Sequence, residues 1–263
     1  MNSRTAKTRI ISLANQKGGV GKTTSTQAIG FALASLGDRV LLVDLDPQGC
    51  LTFSCGLEPD SIEPSLHDVL LGNATASEAL QKIELSGSAG VSVDLLPSNI
   101  DLAGAEVVLM GKTGREFALS RALEPIVPAY DFVLIDCPPS LGILTICGLT
   151  ASTEVVVPVQ CETLGLRGVG QLLETIDDVR RYTNAALKVR GVIATMYDPR
   201  PNLARMVVEE LDAKYGLQLI GQPVRKSIRF AEAPAFGRSI FEYAPKAPGA
   251  QTYMEIAREL RSG

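Results

Sequence analysis

Two lysines five positions apart in a glycine-rich run, Lys17-Gly18-Gly19-Val20-Gly21-Lys22-Thr23-Thr24, have the types and spacing to hold a di- or triphosphate. Glycines at 18, 19 and 21 let the backbone curl with its N–H groups turned inward, and the Lys22 ammonium adds a full positive charge to that cradle. Thr23 is placed to offer its hydroxyl to Mg²⁺. The usual phosphate-loop pattern is Gly, four residues, Gly-Lys-Ser/Thr, but here Gln16 stands at the first position. Lys17 follows it and brings a second cation to the phosphates.

Carboxylates supply the other half of the chemistry. Residues 39–43 read as a short, almost continuous apolar strand that delivers Asp44 and Asp46 at its carboxyl end. Residues 131–136 read as a second buried strand ending in Asp136, where a carboxylate can grip Mg²⁺ through its water shell. Ligands of open α/β sheets bind outside the carboxyl ends of the strands, so these acids are expected on the same edge as the glycine-rich loop. A plainer role for Asp44 and Asp46 is as strand-end caps or salt-bridge partners. Pro138 and Pro139 stiffen the exit from Asp136.

The loop needs a strand before it and a helix after it. The apolar run 10–14 and the Ala-rich amphipathic segment 25–36, which stops at Gly37, meet that need. Residues 50–90 are punctuated by Pro and Gly around two short helical stretches, 66–71 and 76–83, and show no chemistry of their own. Beyond them the pattern predicts a strand at 91–96, helices at 101–109 and 115–123, and a strand at 154–159. A helix at 164–182, a strand at 189–196, and helices at 202–215 and 250–260 complete the chain. Such alternation implies an α/β fold with a doubly wound, mainly parallel sheet and helices on both faces, as one domain over residues 1–263.

Composition narrows the function classes. The 263 residues carry 25 Lys and Arg against 29 Asp and Glu, a net charge of −4 that disfavours indiscriminate nucleic-acid binding. The charge is uneven: residues 180–229 hold ten cations and four acids, leaving that stretch net basic by six, which permits a local anionic partner. The five cysteines form no Cys-x-x-Cys pair and the one histidine, His67, reads as a surface or half-buried helix residue. Buried free thiols are therefore expected rather than zinc or disulfides, and most histidine-dependent hydrolase mechanisms are excluded. No segment approaches the length of a membrane span and no cleavable leader is evident, so the protein is expected in the cytoplasm.

The run at 17–24 resembles the deviant Walker A motif of the ParA/MinD group of ATPases. The prefix Ala14-Asn15-Gln16 and the segment Val43-Asp44-Leu45-Asp46-Pro47-Gln48-Gly49 resemble its ParA branch. The resemblance continues through Asp136-Cys137-Pro138-Pro139-Ser140, Val157 to Glu162, Thr195-Met196-Tyr197-Asp198 and Ala231-Glu232-Ala233-Pro234, nearly the full chain. It implies a fold of P-loop NTPase type and a weak, partner-stimulated ATPase that uses ATP and Mg²⁺ and forms a face-to-face homodimer with ATP. Lys17, Lys22 and Asp46 would be catalytic. Lys17, Gly18, Gly19, Val20, Gly21, Lys22, Thr23 and Thr24 would hold the nucleotide, and Thr23 and Asp136 the metal. Arg225 and Ser227 lie where the family touches the adenine, though relatives have Pro and Asn there. Cys147 and Thr163-Leu164 likewise replace the Asn and the two tyrosines common in the family.

The resemblance further implies nonspecific binding of double-stranded DNA through Arg200 and Arg229, to which Arg205, Arg225 and Lys226 are candidate additions. It implies a ParB-like activator protein, nucleoid association, and a role in segregating a chromosome or plasmid or positioning a cargo. The segment 250–260 lacks the basic amphipathic face by which MinD-like proteins hold a membrane, so no membrane partner is expected. No helix-turn-helix precedes the loop, so operator recognition is not expected. Two rivals stand beside this reading: a metabolic enzyme sharing the loop, of amidoligase or dethiobiotin synthetase type, and a positioning ATPase that does not use DNA.

Overall fold

A computed structural model describes residues 7–85, 90–161, 165–198 and 202–263, with the helix backbone alone over 165–167 and 202–208. β1 (Arg9–Leu13) runs into the glycine-rich loop and α1 (Lys22–Ser35) leaves it. β2 (Val40–Asp44), α2 (Cys50–Ser54), α3 (Leu66–Leu71), α4 (Ala76–Ala79), β3 (Gln81–Glu84) and β4 (Ser92–Leu96) follow. After α5 (Leu102–Met110) and α6 (Ala118–Leu123) the chain alternates β5 (Phe132–Asp136), α7 (Ile143–Ala151), β6 (Glu154–Gln160), α8 (Gly165–Tyr182), β7 (Lys188–Thr195) and α9 (Asn202–Tyr215). Three helices close it: α10 (Arg229–Ala235), α11 (Ile240–Tyr243) and α12 (Pro248–Ser262).

The strands form one seven-stranded sheet in the order β3-β4-β2-β5-β1-β6-β7. Every pairing is parallel except β3 with β4. Successive side chains of a strand point to opposite faces, and both faces here are apolar, so helices must cover both. Leu41, Val43, Val133 and Ile135 face a core built with α3, α5, α6, α7 and α8. Leu42, Phe132, Leu134, Ile11 and Leu13 face a second core built with α1, α2, α11 and α12. Burying the sheet twice over is what the hydrophobic effect demands of strands such as Val40–Asp44, where all five residues are buried. The expected doubly wound, mainly parallel architecture is the one observed.

Several local expectations need correction. The helix expected at 25–36 starts three residues earlier, because Gly21 takes the left-handed conformation (φ 84°) that lets Lys22 enter the first turn directly. The helix expected at 76–83 ends at Ala79; Gln81–Glu84 instead pairs antiparallel with β4 and alternates half-buried and exposed residues as an edge strand does. The segment 115–123 opens as a 3₁₀ turn over Arg115–Phe117 before α6. Helices α2, α7, α10 and α11 escaped the sequence reading. α2 and α11 are too short for a 3.6-residue period to register, and α10 carries Pro234 within it.

Candidate phosphate and metal site

β1 lies between β5 and β6, while α1 carries the chain across to β2 on the far side of β5. That crossing opens a crevice at the carboxyl ends of the central strands, and residues 14–21 fill it. The loop is pinned at each end. Asn15 donates its side-chain amide to the Pro158 carbonyl at 2.7 Å, and its side-chain oxygen accepts the Lys17 N–H at 3.0 Å. Thr195 donates its hydroxyl to the Val20 carbonyl at 2.7 Å. Lys22 donates its ammonium across the loop to the Lys17 carbonyl at 3.1 Å, and Lys17 reaches Gln160 Oε1 at 3.4 Å.

Strand register brings the acids to this loop. Asp136 pairs with Leu13 on one side and with Asp44 on the other, so both aspartates sit at the edge from which the loop springs. Thr23 donates its hydroxyl to Asp136 Oδ2 at 2.6 Å. Thr26, one helical turn below, lies 3.5 Å from Oδ1. Burial pushes the Asp136 carboxyl well above the usual carboxylate range and the Asp44 charge pushes it further, against the pull of Thr23 and Lys22. Burial lowers the Lys22 pKa, and Asp136 opposes that shift more than any other group does.

Asp44 and Asp46 divide in role. Asp44 is fully buried, and its Oδ2 accepts both the N–H (2.8 Å) and the hydroxyl (2.7 Å) of Thr52. Burial raises its pKa to about 6 despite those bonds. Thr52 is handed on by the Ser98 N–H, and Ser98 donates its own hydroxyl to the Asp46 carbonyl at 2.8 Å. Asp46 itself is half-buried, in a turn where its side chain caps the Gln48 N–H at 3.0 Å and its carbonyl accepts from Gly49. Asp44 is thus the structural partner that the plainer reading allowed. Residues 50–90, expected to show no chemistry of their own, contribute a supporting residue here, since Thr52 in α2 bonds both Asp44 and the Ser98 N–H beneath the Asp46 turn.

These oxygens suit a hard divalent cation. Thr23 Oγ1 and Asp136 Oδ2 are adjacent, and burial together with the Asp44 charge raises the Asp136 carboxyl, so a cation beside it would favour its ionised form. Among the described residues no group of three or more His, Cys, Asp or Glu could cage a metal. One carboxylate and one hydroxyl leave the remaining positions of an octahedral ion to water and phosphate oxygens, the way Mg²⁺ is usually held.

The residues expected at the adenine and at DNA are less concentrated. Arg225 and Lys226 are exposed on the segment that pairs with Tyr197. Ser227 is half-buried beside them. Arg229 opens α10 and is not bare: it meets Glu232 at 3.1 Å and lies over the Tyr243 ring at 5.9 Å. Arg200 lies outside the described residues, and Arg205 falls where only the backbone of α9 is described. Cys55, Cys137, Cys147 and Cys161 are buried free thiols as expected, whereas Cys50 is exposed. Asn15, Thr52, Ser98, Gln160 and Thr195 were missed as supporting residues. Their chemistry is ordinary hydrogen bonding, which carries no spacing signal until strands are placed side by side.

A glycine-rich loop between a central parallel strand and a helix, with a strand-end aspartate bonded to the threonine after the loop lysine, defines a P-loop nucleotide-binding protein. The model of the AAA domain family matches residues 8–189. The sporulation initiation inhibitor protein Soj of Bacillus subtilis (strain 168) is 42% identical over 96% of this chain and 98% of its own length. The chromosome partitioning protein ParA of Caulobacter vibrioides is 42% identical over 97% and 94%. The chain belongs to the ParA/Soj partition ATPase family. Among solved structures, one described as cobyrinic acid a,c-diamide synthase from Mycobacterium smegmatis with bound ADP and magnesium is 47% identical, with a TM-score of 0.85 over 97% of this chain and 94% of that one. The cell division ATPase MinD of Pyrococcus furiosus is 25% identical, with a TM-score of 0.77 over 97% and 98%.

Proposed function

We propose that the protein is an ATP-driven switch that dimerises with ATP and Mg²⁺, binds double-stranded DNA without sequence preference in that state, and is reset by hydrolysis stimulated by a ParB-like partner. Its work would be to segregate a chromosome or plasmid, or to position a cargo, on the nucleoid. The observation that carries this reading is the hydrogen bond from Thr23 to the buried Asp136 beneath a loop bearing both Lys22 and Lys17. Full-length similarity to Soj and ParA supports the partition role.

The residues divide the work as follows. Backbone N–H groups of 18–24 and the Lys22 ammonium hold the phosphates; Thr23 and Asp136 hold Mg²⁺, which would neutralise phosphate charge. Asp46, half-buried at the rim of the crevice, orients the attacking water. Lys17, ahead of the loop, is assigned to the partner's phosphates across the dimer, where a cation stabilises charge on the transferring group. Arg225 and Ser227 lie on the segment assigned to the adenine. Arg229, Lys226 and Arg225, together with Arg200 and Arg205, are assigned to DNA phosphates.

A second reading follows from the 47% identical structure described as a diamide synthase. A synthase of that kind that worked through a thiolate nucleophile would need a reactive cysteine. Burial here raises Cys55 and Cys137 to about 12 and Cys147 and Cys161 to about 11, and Cys50 is raised as well. His67 engages Asp68 at 3.5 Å. No thiol is lowered in this way, and the full-length similarity to Soj and ParA favours the switch over this reading.

Binding to random-sequence duplex DNA with ATP, ADP or no nucleotide, at two salt concentrations and with an Asp46→Ala protein, tests the proposal. Tight, salt-sensitive binding only with ATP is expected. Absence of DNA binding in every nucleotide state, together with saturable stimulation of ATP hydrolysis by a small carboxylic acid and an amide donor, would replace it with the synthase reading.

A further inference from the structure

We propose that Thr195 is a positioning residue of the phosphate loop, aiming the Gly21 N–H into the cradle, and that the left-handed turn at Met196 transmits loop occupancy to the segment 224–226. The inference rests on reading residues 17–24 as the ATP site.

Thr195 ends β7 and is almost completely buried. Its hydroxyl donates to the Val20 carbonyl at 2.7 Å. A Cβ placed on Gly21 would come within 3.6 Å of its methyl, so both ends of this side chain bear on the same peptide unit. In a planar trans peptide the C=O of one residue and the N–H of the next point to opposite sides. Holding the Val20 carbonyl toward the sheet therefore turns the Gly21 N–H toward the space above the loop. The same bond keeps a carbonyl dipole from facing an anion. Gly21 sits at φ 84°, a left-handed geometry that it tolerates because it has no Cβ.

The register of the sheet adds a second grip. Thr195 is the rung partner of Gln160, and Gln160 Oε1 meets the Lys17 ammonium at 3.4 Å. One rung of β6 and β7 thus holds the loop at residue 17 and at residue 20.

From that rung the backbone leads outward. Met196 is the one non-glycine residue with positive φ among the described residues, at 51°. Methionine has no preference for that region, so the conformation persists because bonds on both sides impose it. Before it, the Ala194 carbonyl accepts the Val224 N–H at 2.8 Å. After it, the Tyr197 N–H donates to the Val224 carbonyl at 2.9 Å, and the Lys226 N–H donates to the Tyr197 carbonyl at 3.1 Å. The backbone carrying exposed Arg225 and Lys226 is therefore tied to residues on both flanks of the Thr195–Met196 step. A change at the Val20 carbonyl reaches that backbone through two residues.

The test uses the full chain, a slowly hydrolysed ATP analogue with Mg²⁺, calorimetric affinity, and amide hydrogen exchange at Tyr197 and Lys226. Wild type is expected to bind and to slow exchange at both amides. Thr195→Val, which keeps the shape and loses the donor, is expected to bind about tenfold more weakly and to lose the protection even at saturation. Thr195→Ser, which keeps the donor, is expected to restore both. Met196→Gly, which keeps the hydroxyl and suits a left-handed position, is expected to bind as wild type does while losing at least half of the protection. Wild-type affinity and protection in Thr195→Val overturn the positioning role. Full protection in Met196→Gly overturns the transmission. Failure of wild type to bind the analogue removes the ATP-site reading itself, an outcome separable from the other two.

Discussion

Asp44 and Asp136 are rung partners on adjacent parallel strands, both essentially inaccessible to water, and the Asp44 charge adds to burial in favouring a proton or a cation on Asp136. Two like charges so placed oppose the folded state unless something neutralises them.

Asp44 makes this measurable through pH. Its folded pKa of about 6 lies above the ordinary value of 3.8, so its ionisation costs stability once the pH passes through that window. The cost is absent below the unfolded value and fully present above about 6. Asp44→Asn keeps an acceptor for Thr52 and carries no charge. It is expected to stabilise the nucleotide-free protein by on the order of 2 kcal/mol at pH 7.5, and to match wild type near pH 3.5. Thermal unfolding in EDTA across that range checks it; equal gains at both pH values would refute the assignment.

Asp136→Asn removes the charged oxygen that the Thr23 hydroxyl meets. Magnesium-dependent enhancement of ATP binding is expected to fall at least tenfold, and chelation of Mg²⁺ from wild type should give the same loss. Thr23→Ala is expected to act in the same direction, while nucleotide binding without metal should change little. Titrations with and without EDTA separate the two contributions.

Lys17 and Asp46 should behave as groups needed for turnover. Lys17→Gln and Asp46→Ala are each expected to slow ATP hydrolysis by about 100-fold or more. Asp46→Ala should still bind ATP, because its side chain caps the Gln48 N–H rather than forming the loop. Mixing Lys17→Gln with Asp46→Ala protein offers a sharper check. A mixed dimer has one site with the partner's Lys17 and its own Asp46, so partial recovery of turnover supports action in trans.

The joint between α2 and α10 is set by bare backbone. Gly56 and Gly237 both have positive φ, and a Cβ on Gly237 would sit 2.8 Å from the Gly56 Cα. Gly237→Ala is expected to destabilise the protein by roughly 2–3 kcal/mol, through left-handed strain and a contact that no rotamer can relieve. Chemical denaturation should register it as a lower midpoint.

The basic segment should show itself in salt dependence. Alanine at Arg225, Lys226 or Arg229 is expected to flatten the slope of log K against log salt by about 0.9 for each phosphate contact removed. Because Arg229 already meets Glu232, Glu232→Gln should strengthen DNA binding by releasing that guanidinium. An unchanged slope in all three alanine variants would remove this surface from the DNA reading.

The phosphate loop, the three aspartates and the alternating fold class were legible in the sequence because each is written locally. Glycines followed by Lys22-Thr23, and apolar runs that end in Asp44 and Asp136, occupy fixed positions along a few consecutive residues. The same locality explains the misreadings. Gln81–Glu84 looked like the end of a helix because its strand character comes from pairing with β4, and α10 was hidden by Pro234.

The sequence by itself thus determined the glycine-rich loop, its two lysines, the strand-end aspartates and the alternating α/β class that presents them. Tertiary structure decided the strand order and register, and with them which residues hold those groups in place. Thr52 on Asp44, Ser98 on Asp46, Gln160 on Lys17 and Thr195 on Val20 join residues from 8 to 175 positions apart. Ordinary hydroxyls and amides carry no local pattern, and only the packing of parallel strands, driven by burial of both faces of the sheet, makes them neighbours.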